Sequence, residues 1–144
     1  MQLYSGYTRE PFYYETDKMG IIHHSNYIRW FEEARVDLLR HLDYPFEKIE
    51  ADGLMVPVLS VSCQYKEMVR FGDQLTIMPL IKRYTGTRLD FDYEIYNQKK
   101  QLVTIGSSEH CFMSSARNRL VQLKKANPEL HQLFSDYTAL QLNK

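Results

Sequence analysis

The sequence predicts an α+β domain in which one long helix packs against a five-stranded antiparallel sheet. An apolar pattern with helical spacing runs from Asn26 to about Leu42, and four strand-like segments follow it between residues 54 and 114. The turns between those segments are short, which indicates antiparallel neighbours, because parallel strands need a long crossover. The 144 residues fit a single domain over 1–144.

Each predicted element has its own signal. Residues 7–15 are aromatic and extended, and Pro11 within them is compatible with an edge strand. The helix carries two large aromatic residues on its apolar face, so it needs a broad surface such as a curved sheet. That face consists of Tyr27, Trp30, Phe31, Ala34, Leu38 and Leu42. The four later strands are predicted at 54–67, 74–84, 87–97 and 101–114. Asn127 followed by Pro128 is typical of a helix start, which predicts a short helix over about 128–137.

The composition limits the function classes. Lysine plus arginine equals aspartate plus glutamate at 18 each, whereas a nucleic-acid-binding protein usually has a basic excess. No apolar run approaches the ~20 residues of a membrane helix, and the first residues lack a signal-peptide pattern, so we expect a cytoplasmic protein. Cys63 and Cys111 are far apart in strand-like surroundings, which is typical of small buried apolar residues.

The residues best suited to catalysis lie in the stretch 16–35. Asp17 lies in a turn with Gly20, and His23 and His24 lead directly into the long helix. The first amides of a helix lack partners and carry partial positive charge, so they can stabilise a developing oxyanion. A carboxylate close to such amides supplies the parts needed for acyl transfer.

Simpler interpretations of the same residues stay open at this point. Aspartate before glycine is common in turns because its side chain binds the local backbone, and Ser25 or Asn26 is a natural helix cap. His23 and His24 could be surface residues or metal ligands. Adjacent histidines lack the i, i+4 spacing that places two imidazoles on one helix face, so we predict no metal site.

The run Asp17-Lys18-Met19-Gly20-Ile21-Ile22-His23-His24-Ser25-Asn26-Tyr27, continued by Arg29-Trp30-Phe31-Glu32-Glu33-Ala34-Arg35, resembles the signature of the 4-hydroxybenzoyl-CoA thioesterase family. The order of the predicted elements is also similar to that family's hot-dog fold, in which the sheet wraps around the long helix. The resemblance covers roughly residues 7–125.

The resemblance implies an acyl-CoA thioesterase that needs no cofactor. Asp17 matches the catalytic carboxylate, which acts as nucleophile or as general base, and Gly20 matches the turn glycine. His24 matches the residue whose backbone amide polarises the thioester carbonyl. His23 departs from the family, where tyrosine or tryptophan is frequent, and it could line the acyl pocket or be an exposed variant.

The resemblance also implies a CoA site and an oligomer. Relatives place phosphate-binding cations in two regions, often across a subunit boundary, and these regions here hold Lys82, Arg83, Arg88, Arg117 and Arg119. The segment 58–62 resembles the one that borders a neighbouring subunit's active site. One helix covers only one face of a five-stranded sheet, so a homodimer or homotetramer is expected.

Two alternatives compete with a thioesterase. A hot-dog hydratase or dehydratase would need a histidine-plus-acid arrangement on other segments, and the sequence shows no such motif. A non-catalytic acyl-CoA sensor would be expected to lack the turn aspartate or to carry a DNA-binding segment. The acyl group, aromatic or aliphatic, is left open by the sequence.

Overall fold

The fold is known from a computed structural model that describes residues 1–17 and 20–143. In chain order its elements are β1 (Tyr7–Arg9), α1 (Ser25–His41), α2 (Phe46–Ala51), β2 (Leu54–Met55), β3 (Val58–Tyr65), β4 (Leu75–Tyr84), β5 (Arg88–Tyr96), β6 (Leu102–Cys111), β7 (Met113–Ser114), β8 (Arg119–Leu120), α3 (Leu123–Ala126) and α4 (Pro128–Leu142). A 3-10 turn covers Tyr13–Glu15. Lys18 and Met19 of the predicted signature lie outside the described residues.

The main sheet has five antiparallel strands in the order β1-β4-β5-β6-β3. Together with the long helix α1, this confirms the predicted α+β architecture. A second, smaller sheet with the order β2-β7-β8 lies where β6 ends. One chain therefore has two strands at the edges of its main sheet, β1 and β3.

The core forms where α1 packs against the sheet. Trp30, Phe31 and Leu38 are completely buried on the predicted apolar face. Phe31 stacks on Tyr93 of β5, with ring centroids 4.2 Å apart. Gly106 of β6 makes room for this ring, because a Cβ built there would lie 2.5 Å from Phe31. The helix is thus held over the middle of β5 and β6.

The first predicted strand is too long. Residues 7–15 were expected to be extended, but β1 ends at Arg9 and the chain turns at Tyr13–Glu15. The turn forms because Arg9 and Glu15 bind one another inside the protein. The strands predicted at 54–67 and 101–114 are each interrupted, the first into β2 and β3 and the second into β6 and β7. The short elements α2, β8 and α3 were not predicted, and α4 extends to Leu142, beyond the expected end at about residue 137.

Candidate active site

Asp17 lies in a tight loop whose two ends are held together. Thr16 and Ile22 form an antiparallel bridge, and the Asp17 amide donates to the Ile21 carbonyl at 2.8 Å. Gly20 has a φ of 74°, in the left-handed region that favours glycine, which agrees with its predicted place in the turn. The Asp17 side chain is exposed. The backbone therefore holds an accessible carboxylate in a defined position.

The same loop is joined to the segment that precedes β4. The amide of Ile22 donates to the Val69 carbonyl at 2.9 Å, and the Phe71 amide donates to the Gly20 carbonyl at 3.0 Å. Ile21 also forms an antiparallel bridge with Arg70. These contacts leave the Asp17 loop little freedom to move away from the start of α1.

The start of α1 differs from the prediction in its cap. Neither Ser25 nor Asn26 is the cap residue, because α1 already includes both, and His24 takes the cap position without a side-chain cap bond. His23 binds the helix start instead: its Nδ1 lies 3.2 Å from the Ser25 amide and 2.9 Å from Ser25 Oγ. The His24 amide has no acceptor among the described residues.

Asn26 ties the helix start to the residues before the loop. Its Nδ2 donates to the Glu15 carbonyl at 2.9 Å and to the His23 carbonyl at 3.2 Å. The His23 amide donates to the same Glu15 carbonyl at 3.0 Å. The first turn of α1 contains no acidic residue, so no helix side chain competes for an anion at these amides.

A buried ion pair anchors this region, and the sequence analysis did not identify it. Glu15 is 4% exposed, and its two carboxylate oxygens accept 2.7 and 2.9 Å hydrogen bonds from Arg9. The Phe12 amide donates to one of these oxygens at 2.7 Å, and the Trp30 indole donates to the other at 3.0 Å. Arg9 also binds Glu33 of α1 at 2.9 Å. The cluster joins β1, the 3-10 turn and α1 immediately before Asp17.

The electrostatics of this cluster favour an ionised Glu15. Burial alone would raise the pKa of its carboxyl, but hydrogen bonds from Arg9, the Phe12 amide and Trp30 outweigh burial and hold the pKa below its ordinary value. A buried carboxylate with donors on both oxygens is a rigid support. The sequence signal for this ion pair was an arginine and a glutamate six positions apart, with Pro11 and three aromatic residues between them.

The predicted CoA-binding cations lie at the opposite end of the sheet from Asp17. Tyr65, where β3 ends, donates through its hydroxyl to the His24 carbonyl at 3.2 Å. Val58, where β3 begins, pairs with His110 beside the β4–β5 turn. Seven residues separate these two ends, which is roughly 23 Å along a strand. The structure of one chain therefore does not bring the cations and Asp17 together.

Two of these cations already have partners. Arg83 pairs with Asp90 at 3.0 Å, and Arg88 pairs with Glu109 at 2.7 Å. Lys82, Arg117 and Arg119 are exposed, and no ion pair of theirs is seen among the described residues. The last three are thus better placed than Arg83 and Arg88 to bind a phosphate without losing an internal contact.

Within residues 1–17 and 20–143, no three histidine, cysteine, aspartate or glutamate side chains lie together as a metal site would require. No helix in this part of the chain has the length and apolar character needed to span a bilayer.

Comparison with known proteins gives consistent matches. Residues 13–133 match the thioesterase-like superfamily. A Bacillus subtilis protein named "Putative acyl-CoA thioesterase YneP" is 30% identical over 122 residues, covering 85% of this chain and 88% of that protein. Acyl-CoA thioester hydrolase YbgC of Escherichia coli O157:H7 is 29% identical over 92 residues, covering 64% of this chain and 69% of YbgC. A structure described as a DHNA-CoA thioesterase from Staphylococcus aureus superposes with a TM-score of 0.89 at 31% identity, covering 95% of this chain and 92% of that one.

Proposed function

The chain belongs to the thioesterase-like superfamily and is a thioesterase, and we propose that it hydrolyses acyl-CoA thioesters at the Asp17 loop. The observation that carries this proposal is the geometry of the helix start. An exposed Asp17 lies in a loop fixed by backbone bonds, and the His24 amide at the adjoining helix start has no acceptor among the described residues. The names of YneP, YbgC and the Staphylococcus aureus enzyme support the substrate class.

In the proposed reaction, the thioester carbonyl oxygen accepts a hydrogen bond from the His24 amide. The Asp17 carboxylate then either attacks the carbonyl carbon or removes a proton from an attacking water. In both routes the carbon–sulfur bond breaks and the thiolate of CoA leaves. Attack by Asp17 forms a mixed anhydride that water hydrolyses in a second step, so an acylated enzyme in the mass spectrum of a quenched reaction distinguishes that route.

The first test is Asp17→Asn, measured by thiol release from a panel of acyl-CoAs. We expect kcat to fall by at least about 100-fold, because an amide is neither a base nor a nucleophile here. Asp43→Asn is the matched control. Asp43 is an exposed turn aspartate after α1 with a φ of 57°, a conformation that asparagine tolerates. We expect this control to retain wild-type activity.

The outcomes separate the competing functions. Unchanged turnover by Asp17→Asn would refute the proposed mechanism. A wild-type protein that binds CoA thioesters but turns none over would favour the sensor interpretation. Binding and turnover are therefore measured on the same preparations.

We also propose that the active enzyme is a dimer formed through β3. This eight-residue edge strand pairs with β6 on one side, and no strand pairs with its other side among the described residues. A long open edge is usually covered by another chain. Antiparallel pairing of β3 with the same strand of a second copy would place the cationic end of one chain beside the Asp17 loop of the other.

Subunit complementation tests this arrangement. Asp17→Asn removes the carboxylate, and the double variant Arg117→Ala/Arg119→Ala removes two exposed cations. If one site uses Asp17 from one chain and the cations from the other, each heterodimer contains one intact site. Unfolding and refolding an equal mixture should then restore about a quarter of wild-type activity. No recovery, in a mixture that sedimentation shows to be dimeric, would contradict shared sites.

A further inference from the structure

The strip between α1 and β3, called the α1–β3 groove, leads away from the proposed catalytic site. At one end the Tyr65 hydroxyl binds the His24 carbonyl, and at the other end Val36 of α1 and Val58 of β3 line the same cavity. Helix and strand therefore run side by side in opposite directions. Between these ends, β3 exposes Leu59 and Val61, which are 52% and 37% accessible.

The cavity at the far end of this groove has a volume of about 250 Å³. Its lining is mostly apolar and comes from α1, α2, β3, β5, β6 and α4, with Leu39, Ile49 and Phe91 among the buried members. Its exposed lining residues are Glu32, Val58 and Glu50, so the mouth lies between α1, β3 and α2, and its β3 side meets the groove. The cavity is too small for a complete CoA ester but has room for part of an acyl chain.

Two residues of the cavity lining, Arg35 and His110, are joined by a chain of hydrogen bonds through Tyr93 and Ser108. Arg35 Nη1 donates to the Tyr93 hydroxyl at 2.9 Å, Tyr93 lies 2.6 Å from Ser108 Oγ, and Ser108 lies 2.7 Å from His110 Nε2. Because a guanidinium only donates, the Tyr93 proton goes to Ser108 and the Ser108 proton goes to His110. None of the buried side-chain atoms left without a partner in the described residues belongs to the cavity lining.

His110 is neutral in this chain of hydrogen bonds. Burial and the positive charge of Arg35 lower the pKa of the imidazole to about 4, and the hydrogen bond to the Pro57 carbonyl only partly opposes them. His110 therefore adds no charge to the cavity at neutral pH. The charged lining residues are Glu32, Arg35 and Glu50, and both glutamates are exposed. The buried part of the lining, with Leu39, Ile49 and Phe91, favours an apolar occupant.

We propose that this cavity binds the distal end of a linear aliphatic acyl chain, whose thioester lies at His24 and whose methylenes follow the α1–β3 groove. The separation supports a linear chain: His24 and Val36 are twelve residues apart on α1, which is roughly 18 Å. A single aromatic ring is far shorter than this and could not reach the cavity from His24. The inference rests on the proposed thioesterase function and specifies its substrate class.

The test uses non-hydrolysable S-alkyl-CoA thioethers from butyl to hexadecyl, with S-benzyl-CoA as the aromatic probe, measured by titration calorimetry. For wild-type protein we expect the Kd to fall by up to about fourfold per methylene, until the cavity is filled. A Kd that is independent of chain length, or tighter binding of the benzyl probe than of every linear probe, would overturn the inference.

A cavity-filling variant adds a second readout. Val36 is half-buried, so Val36→Trp should place an indole inside the cavity. We expect the ratio of Kd values for butyl-CoA and the tightest-binding long probe to fall at least tenfold. Leu142→Trp, at an 81% exposed position on α4, makes a similar change far from the cavity and should leave the ratio unchanged. An unchanged ratio in a folded Val36→Trp protein would contradict the proposed pocket.

Turnover of the corresponding acyl-CoAs is measured in parallel, so that the two proposals can fail separately. Chain-length-dependent binding without hydrolysis would refute the thioesterase activity and retain the pocket. Hydrolysis with no dependence of binding or turnover on chain length would retain the activity and refute the pocket.

Discussion

The Glu15 cluster allows a quantitative prediction about how the Asp17 loop is held. Replacing Glu15 with glutamine removes the negative charge and turns one acceptor oxygen into a donor, while keeping the side chain's size. Depending on its orientation, the new amide faces either the Phe12 amide or the Trp30 indole, together with one Arg9 nitrogen. Two of the four hydrogen bonds are therefore lost.

The magnitude follows from the remaining partners. Removing one member of a buried ion pair typically costs 3–5 kcal/mol, because the other charge is left uncompensated. Arg9 keeps its 2.9 Å contact with Glu33, so the loss should be at the lower end, about 3 kcal/mol. Trp30 is the only tryptophan, is fully buried and donates to Glu15, so its fluorescence reports urea unfolding from within the cluster.

The matched control is Glu67→Gln. Glu67 is exposed, and no ion pair of its side chain is seen among the described residues. This change should alter the free energy of unfolding by less than about 0.5 kcal/mol. A loss below about 1 kcal/mol in Glu15→Gln, or one equal to that of the control, would show that the cluster is not a rigid anchor.

The pH dependence gives the cluster a second signature. The pKa of Glu15 is lowered in the folded protein, so its stabilising contribution is fully present above the ordinary value of 4.5 and disappears as the pH falls through the folded-state value. The stability difference between wild type and Glu15→Gln should be constant above about pH 6 and shrink under acid conditions. Activity should fall as well, with kcat affected more than KM, because Glu15 positions the loop without reaching solvent.

Two further predictions concern the sheet beneath α1. The pKa of His110 is about 4 in the folded protein and ordinarily 6.5, so the unfolded chain protonates this imidazole first as the pH falls. Acidification from pH 6.5 to 4 should therefore lower the free energy of unfolding by roughly 3 kcal/mol. Urea titrations should show this loss of stability in wild type and not in His110→Gln. The same loss in His110→Gln would show that His110 is not its source. Gly106→Ala would place a Cβ 2.5 Å from Phe31 and 2.8 Å from the Ser62 carbonyl, and it should destabilise the protein by about 2 kcal/mol. Thermal unfolding checks this against Ser107→Ala, and equal midpoints for the two variants would show that Phe31 moves aside freely.

The regular elements could be predicted because their hydrophobic patterns extend over many residues. The helix expected at 26–42 is found at Ser25–His41, and the strand expected at 87–97 is found at Arg88–Tyr96. The unpredicted α2 has six residues and β8 has two, which is too short for a hydrophobic period to emerge. Tertiary contacts set the limits of such elements, as they do for β1, which ends where Arg9 turns inward.

The candidate site was predictable in part for a similar reason. Asp17, Gly20 and His24 belong to one continuous stretch, so the sequence alone places them at one helix start. The Arg9–Glu15 pair was missed because charged residues usually lie on the surface, and a sequence does not show when two of them are buried together. Arg88 was expected to be available for a phosphate, whereas its partner Glu109 lies twenty-one positions away on the neighbouring strand.

The inward face of β6 shows that a buried strand can lack an apolar pattern in the sequence. Thr104, Gly106, Ser108 and His110 alternate toward α1, although a buried strand face is usually apolar. Gly106 accepts the Phe31 ring, and Ser108 and His110 continue the hydrogen-bond chain that ends at Arg35. Directional contacts of this kind fix the rotation and height of α1 more closely than apolar packing alone. Because α1 carries the His24 amide at one end and the cavity wall further along, this strand sets the distance between the proposed reaction centre and the proposed acyl pocket.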